Sequence, residues 1–202
     1  GTLFDDTYLD LFDAHRNLIP VLSVEGDGAA TDSRRGEGVA ARIYEVIDKL
    51  HSRGILYAAS VTVTCENLRE AASEKYLSDL RKRGCGIVFF IEYVPSEKGT
   101  EHLILSAEDA VWLAQTAESL KSKYADMCVF SFPGDEQLTG GCLAAGRGFF
   151  HINPRGGAEP CPFSPYSALN VREHSLLEVL ESPFFEEVRK IECADTSHSH
   201  GG

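Results

Sequence analysis

The chain of 202 residues lacks several features that would each indicate a class of protein. No apolar run approaches the roughly 20 residues of a membrane-spanning helix, and no signal peptide opens the sequence. Basic residues are in deficit, because 31 Asp and Glu against 19 Lys and Arg give a net charge of −12. A nucleic-acid partner usually meets a basic face. We therefore expect a cytoplasmic protein with no membrane and no nucleic-acid partner.

Methionine is almost absent, since Met127 is the only one, and the chain starts at Gly1-Thr2. It ends on a polar stretch, residues 198–202, so we expect a segment of a longer protein. Cysteine, in contrast, occurs six times. In the reducing cytosol, that number favours metal ligands or reactive thiols over disulfides.

Apolar runs alternate with amphipathic helical patterns through the first part of the chain. The expected strands lie at about residues 18–24, 56–64 and 87–94, and the expected helices at 39–50, 67–83 and 106–124. This alternation predicts an α/β fold with a parallel sheet. From about Cys128 the alternation ends, and Gly, Pro and turn residues dominate. We therefore predict one domain over residues 1–125 and a second over residues 126–202.

Two cysteines in the second part bracket a hairpin pattern, Cys142-x13-Gly156-x4-Cys161. Residues 148–152 have the composition of a short strand, and residues 153–157 form a dense turn signal. A hairpin there would bring both thiols together, which allows a disulfide, two free thiols or half of a metal site. Zinc is a further alternative, with the side chains that could complete a Cys/His set being His174, His198 and His200.

These patterns together resemble radical S-adenosylmethionine enzymes that modify peptides and proteins. Leu22-Ser23-Val24-Glu25-Gly26 and the loop that follows resemble the fourth strand of their barrel, residues 60–64 the fifth and residues 89–95 the sixth. The Cys-Gly-Cys element resembles the start of the auxiliary-cluster domains called SPASM and Twitch. The resemblance implies the C-terminal half of a partial parallel (β/α)6 barrel, followed by a small hairpin-containing auxiliary domain.

The resemblance also implies a cofactor site at the carboxyl ends of the strands. Ser23 would approach the amino-acid moiety of S-adenosylmethionine, and Arg34 or Arg35 would pair with its carboxylate. Thr64 ends the next strand at the same rim. Glu25 and Glu92 also lie near strand ends, where a carboxylate could contact substrate but is more often part of a structural hydrogen-bond network. The residues alone equally allow Ser23 to cap a turn and the arginines to be solvated, and they favour an N-cap for the helix after Asn67 over a ligand contact.

A four-iron four-sulfur cluster is the second implied cofactor. Its ligands would be Cys142 and Cys161, with Cys193 as a third. In the family another ligand cysteine follows a stretch like His200-Gly201-Gly202, so we expect the cluster site to be incomplete in these residues.

One motif of the family is missing from these residues. The Cys-x3-Cys-x2-Cys loop that holds the cofactor-cleaving cluster belongs after the first barrel strand, whereas this chain resembles the part after the third. We expect the first strand to present an unpaired edge and an exposed apolar face, and we expect no activity from this segment alone. The parent would abstract hydrogen from a peptide, protein or other small substrate, with an electron donor protein as partner. The alternative is a non-catalytic module that binds iron–sulfur, zinc or another protein.

Overall fold

The computed structural model describes residues 1–95, 98–137 and 141–190. The chain divides into two units, residues 1–135 and 136–202, each with its own core. Within the described ranges, none of the helices combines the length and the apolar character that crossing a membrane requires. Cys193, His198 and His200 lie outside the described residues.

The first unit is built on a four-stranded parallel sheet in the order β1-β2-β3-β4, which confirms the predicted parallel α/β arrangement. Its strands are β1 (Val21–Ser23), β2 (Tyr57–Val63), β3 (Cys85–Glu92) and β4 (Cys128–Phe132). The helices are α1 (Asp6–Ala14), α2 (Gly28–Arg35), α3 (Val39–Ser52), α4 (Leu68–Ala71), α5 (Glu74–Lys82) and α6 (Ala107–Lys123).

Helices pack on one face of this sheet because the strands and the helices both present apolar side chains there. Alternate residues of β2 from Tyr57 to Val63 are fully buried, and they belong to the same core cluster as one apolar side of α3. Ile43, Ile47 and Leu50 recur on that side at helical spacing and are at most 2% exposed. The core therefore lies between the sheet and its helices.

The opposite face of the sheet has a polar part and an aromatic part. Ser23 pairs in register with Ser60, and the same row continues through Phe89 to Phe130. The Phe89 and Phe130 rings stack with centroids 5.3 Å apart, and Phe130 is 38% exposed. Neither phenylalanine belongs to the described core cluster. The aromatic part lies on β3 and β4, whereas the sequence prediction placed an exposed apolar face at the first strand.

Two boundaries differ from the sequence prediction. The predicted division after residue 125 precedes β4, which pairs with β3, and the structure divides the chain after Asp135 instead. The single helix predicted over residues 67–83 is two helices, α4 and α5. Ser73 interrupts it, because its side chain accepts a hydrogen bond from the N–H of Tyr76 and so caps the start of α5.

The second unit contains the predicted hairpin and two short helices. Its elements are β5 (His151–Ile152), β6 (Ala158–Glu159), α7 (Leu176–Leu180) and α8 (Pro183–Lys190). The antiparallel pair of β5 and β6 joins His151 to Glu159 and Ile152 to Ala158. A small core of Ala145, Ala158, Val179 and Phe185 connects the hairpin to the two helices.

Candidate functional site

Three of the predicted rim residues meet at the carboxyl end of the sheet. Ser23 is the last residue of β1 and is half-buried, whereas Glu25 and Thr64 are 1% and 6% exposed. Glu25 accepts a hydrogen bond from the N–H of Thr62 at 3.0 Å, which joins the ends of β1 and β2. Parallel strands place their carboxyl ends on one edge, so this grouping follows from the topology.

Both candidate arginines contact the buried carboxylate of Glu25. They occupy the last turn of α2 and are about one-third exposed, and Arg35 Nη2 lies 2.5 Å and Arg34 Nε 3.3 Å from Glu25 Oε1. Burial raises the pKa of Glu25 above its ordinary value, while Arg35, Arg34 and the N–H of Thr62 act in the opposite direction. The cluster is a cationic patch anchored by one buried acid.

Asn67 connects the strand ends through its side chain. Its Nδ2 donates to the carbonyls of Glu25 and Thr62, at 2.9 Å each. Its Oδ1 accepts from the N–H of Thr64 at 2.8 Å. This role was missed from the sequence, which predicted only an N-cap at this position; the side chain makes no capping bond to α4. The only sequence signal was an Asn three residues after the strand-ending Thr64.

The third strand contributes an aromatic ring to the same edge. Tyr93 directly follows the end of β3, and Arg34 lies over its ring with Cζ 5.1 Å from the ring centroid. Glu92, by contrast, is in register with buried Val63 and so lies on the helix-covered side of the sheet. Burial raises the pKa of Glu92. Of the two acids considered from the sequence, only Glu25 joins the arginine cluster.

The second candidate site is the base of the β5–β6 hairpin. The N–H of Ala145 donates to the carbonyl of Pro160 at 3.0 Å, which ties the segment after Cys142 to the residue before Cys161. Both cysteines are half-buried. The hairpin and this backbone hydrogen bond together bring the two cysteine-bearing segments close to each other, as the sequence predicted.

The glycine of the Cys-Gly-Cys element has a specific conformational role. Gly156 has φ +87°, in the left-handed region, and a Cβ there would meet Asn170 Oδ1 at 2.5 Å. Its carbonyl accepts from the N–H of Val171 at 2.9 Å, which holds the following segment against the turn. Any other residue at this position would disturb both the turn and that contact.

Cysteine sulfur is the ligand that iron–sulfur clusters use, and a four-iron cluster takes four of them. Cys142 and Cys161 fit as two of these ligands. Among the described residues there is no group of three or more His, Cys, Asp or Glu side chains that could hold a metal ion. A four-cysteine site at this hairpin would therefore need ligands outside the described ranges, where Cys193 lies. Cys85, in contrast, is buried in the first unit, and burial raises its pKa to about 11.

Comparisons with known proteins identify a family match in the second unit and similar folds among solved structures. Residues 142–199 match the SPASM family, an iron–sulfur cluster-binding domain. No curated protein sequence matches the chain. Among solved structures, SuiB from Streptococcus suis bound to S-adenosylmethionine is 14% identical with a TM-score of 0.65, and the match covers 96% of this chain and 49% of SuiB.

The protein anSMEcpe, solved with bound AdoMet, is 16% identical with a TM-score of 0.66, and the match covers 93% of this chain and 54% of that one. The chain thus spans about half the length of these proteins. At such identities the likeness shows the fold, and the fold predicted from the sequence is confirmed. The SPASM match begins on Cys142, the first cysteine of the Cys-Gly-Cys element.

Proposed function

We propose that these residues are part of a radical S-adenosylmethionine enzyme with a SPASM auxiliary domain, which acts by hydrogen abstraction on a peptide substrate. The observation that best supports this proposal is the order of the two units along the chain. A parallel sheet is followed by a SPASM-type hairpin, and one solved protein with bound S-adenosylmethionine matches this order over 96% of the chain. A peptide is the favoured substrate because SuiB has been solved with its precursor peptide SuiA.

The rim of the sheet supplies the cofactor site in this proposal. When bound, S-adenosylmethionine would supply the hydrogen-abstracting chemistry. Ser23 would donate to the amino-acid moiety of the cofactor, and Arg34 or Arg35 would pair with its carboxylate. Thr64 borders the same edge, where Asn67 fixes its backbone. In this proposal, the role of these residues is to bind and orient the cofactor.

The auxiliary unit supplies the second site. A four-iron four-sulfur cluster transfers electrons when bound. Cys142, Cys161 and Cys193 would hold it, with at least one further ligand outside these residues. An electron donor protein is the remaining partner that we propose. The net charge of −12 gives no reason to expect nucleic acid.

The first experiment tests the cluster assignment in the full-length protein that contains these residues. After anaerobic reconstitution with iron and sulfide, Cys142→Ala and Cys161→Ala should each lower the bound iron by the content of one cluster. Cys65→Ala, on the exposed surface of the first unit, is the matched control. If both variants reconstitute like the control, the cysteines are not cluster ligands.

The second experiment tests the cofactor site by calorimetric titration with S-adenosylmethionine. Loss of one hydrogen bond in Ser23→Ala should weaken affinity by about 3-fold to 10-fold. Ser52→Ala, at the exposed end of α3, should bind like the unmodified protein. Unchanged affinity in Ser23→Ala would remove Ser23 from the site. Iron binding with no measurable cofactor binding would favour the alternative, a non-catalytic metal-binding module.

A further inference from the structure

Helix α2, which carries Arg34 and Arg35, contributes little to the apolar core. Thr31 is the one buried residue among its eight, and no residue of this helix belongs to the described core cluster of the first unit. Most helices in proteins are held in place by an apolar face that packs against a core. The position of the two arginines therefore depends on polar contacts.

Two of these contacts fix the start and the middle of α2. The N–H of Asp27, which precedes the helix, donates to Glu70 Oε1 at 3.1 Å. The N–H of Glu25 donates to Oγ1 of the fully buried Thr31, also at 3.1 Å. Both contacts lie before the arginines in the chain, so the last turn of α2 needs a contact of its own.

Asp32 supplies that contact, because its side chain joins α2 to the start of α3. Its Oδ1 accepts from the N–H of Ala40 at 2.7 Å, and its Oδ2 accepts from the N–H of Gly38 at 3.1 Å. The first N–H groups of a helix have no partner within it, and Gly38 has no side chain that could cap them. Asp32 thus caps α3 from the neighbouring helix.

The residues between the two helices give little support of their own. All three, residues 36–38, are exposed. Gly36 and Gly38 have φ +107° and +79°, and a Cβ on Gly38 would meet no other heavy atom within 4 Å. Helix α3, in contrast, is anchored in the core by its apolar side. Asp32 therefore connects the turn that carries the arginines to a fixed helix.

We propose that Asp32 is a positioning residue of the cofactor site, which holds the last turn of α2 so that Arg34 and Arg35 present their guanidinium groups at the rim. This role rests on the proposed function, in which an arginine pairs with the carboxylate of S-adenosylmethionine. Without Asp32, both arginines could still contact Glu25, but from a turn that is no longer fixed to α3. Groups that are held in place before binding cost less to order on binding. Loss of Asp32 should therefore weaken cofactor binding without removing a group that touches the cofactor.

The contact itself can be tested without cofactor or cluster. Hydrogen–deuterium exchange of the full-length protein, measured in peptides that cover residues 28–40, reports how often this segment opens. Asp32→Ala should accelerate exchange there by about 10-fold, as expected for the loss of hydrogen bonds to a charged group.

Asp5→Ala is the matched control, because Asp5 Oδ1 accepts from the N–H groups of Thr7 and Tyr8 and so caps α1 in the same unit. It should leave exchange in residues 28–40 unchanged. Equal exchange of this segment in Asp32→Ala and Asp5→Ala overturns the proposal.

The role of the contact is tested by calorimetric titration of the full-length protein with S-adenosylmethionine and with its decarboxylated form. Asp32→Ala should bind S-adenosylmethionine about 10-fold more weakly than Asp5→Ala does. Its affinity for the decarboxylated form should not change, because the arginines act on the carboxylate. Asp32→Asn, which keeps one acceptor oxygen, should restore part of the affinity.

Two results would overturn the positioning role alone. One is unchanged affinity for S-adenosylmethionine in Asp32→Ala. The other is an equal loss for both ligands, because Asp32 would then stabilise the whole rim rather than orient the arginines. Full affinity in Arg34→Ala/Arg35→Ala, or no binding by the unmodified protein, would instead refute the function proposed for the rim, and the role of Asp32 with it.

Discussion

Replacement of Asn67 by alanine is the most direct test of how the rim is assembled. The Asn67 side chain makes three bonds to backbone groups of Glu25, Thr62 and Thr64, each between 2.8 and 2.9 Å. Alanine removes all three and leaves one N–H and two carbonyls without this partner. We expect the first unit to lose stability and the second to be unaffected.

The magnitude follows from the number of bonds. A hydrogen bond contributes about 0.5–1.5 kcal/mol net, so three of them amount to about 3 kcal/mol. For a chain of this size, each kcal/mol lowers the melting temperature by about 2–4 °C, which gives a decrease of about 6–12 °C. Water can replace part of these bonds at a half-buried position, so the lower end of the range is the better expectation.

Trp112 makes the assay specific to the first unit. It is the only tryptophan, it lies in α6, and Arg69 stacks on its ring with Cζ 3.9 Å from the centroid. Urea unfolding followed by tryptophan fluorescence therefore reports on this unit. Asn17→Ala, at an exposed position, is the matched control. If Asn67→Ala unfolds at the same urea concentration as this control, the strand ends do not depend on Asn67.

Two further substitutions test burial and backbone conformation. Burial raises the pKa of Glu92 above 4.5, which means that the folded state favours the protonated carboxyl group. The contribution of this group to stability is therefore complete below about pH 4.5 and is lost as pH rises through the folded-state pKa. Glu92→Gln should therefore be more stable than the unmodified protein at pH 7, with a gap that closes below about pH 4.5; a gap that does not change with pH contradicts this. Gly156→Ala should destabilise the second unit by about 1–3 kcal/mol because of its positive φ and the contact with Asn170. Urea unfolding followed by circular dichroism measures this loss, with Arg155→Ala as the control variant. Equal unfolding midpoints of the two variants would show that the turn tolerates a Cβ.

Much of the first unit could be predicted from periodicity. Continuous apolar runs such as Ile87–Ile91 indicate strands of a parallel sheet, although helices cover only one face of it in the structure, and helical spacing at Ile43, Ile47 and Leu50 indicates the buried face of α3. The fourth strand, Cys128–Phe132, was missed because it lacks a continuous apolar run and is followed directly by Pro133 and Gly134, which indicate a turn. Only its alternate residues are buried. A strand this short becomes recognisable only through its pairing with β3.

The contacts at the rim could not be predicted, because they depend on strand register. Glu25 and Thr62 are 37 positions apart, and Asn67 and Glu25 are 42 apart. The pattern of the sequence indicates that both strands end near these residues, but a shift of one residue would turn every side chain to the other face. The hairpin between Cys142 and Cys161 was predictable because its turn residues and its two strands are local in the sequence.

The pairing of both arginines with Glu25 is compatible with the cofactor role proposed for them. A guanidinium group has five N–H donors in a planar fork, and the contacts to Glu25 use one nitrogen of each arginine. Both side chains remain about one-third exposed, so further donors can bind a carboxylate at the rim. Glu25 would then hold the arginines in position, and its replacement by glutamine should weaken cofactor binding even though Glu25 itself touches no ligand. Affinity for S-adenosylmethionine that is unchanged in Glu25→Gln, but reduced in Arg35→Ala, would show that the arginine binds without this support.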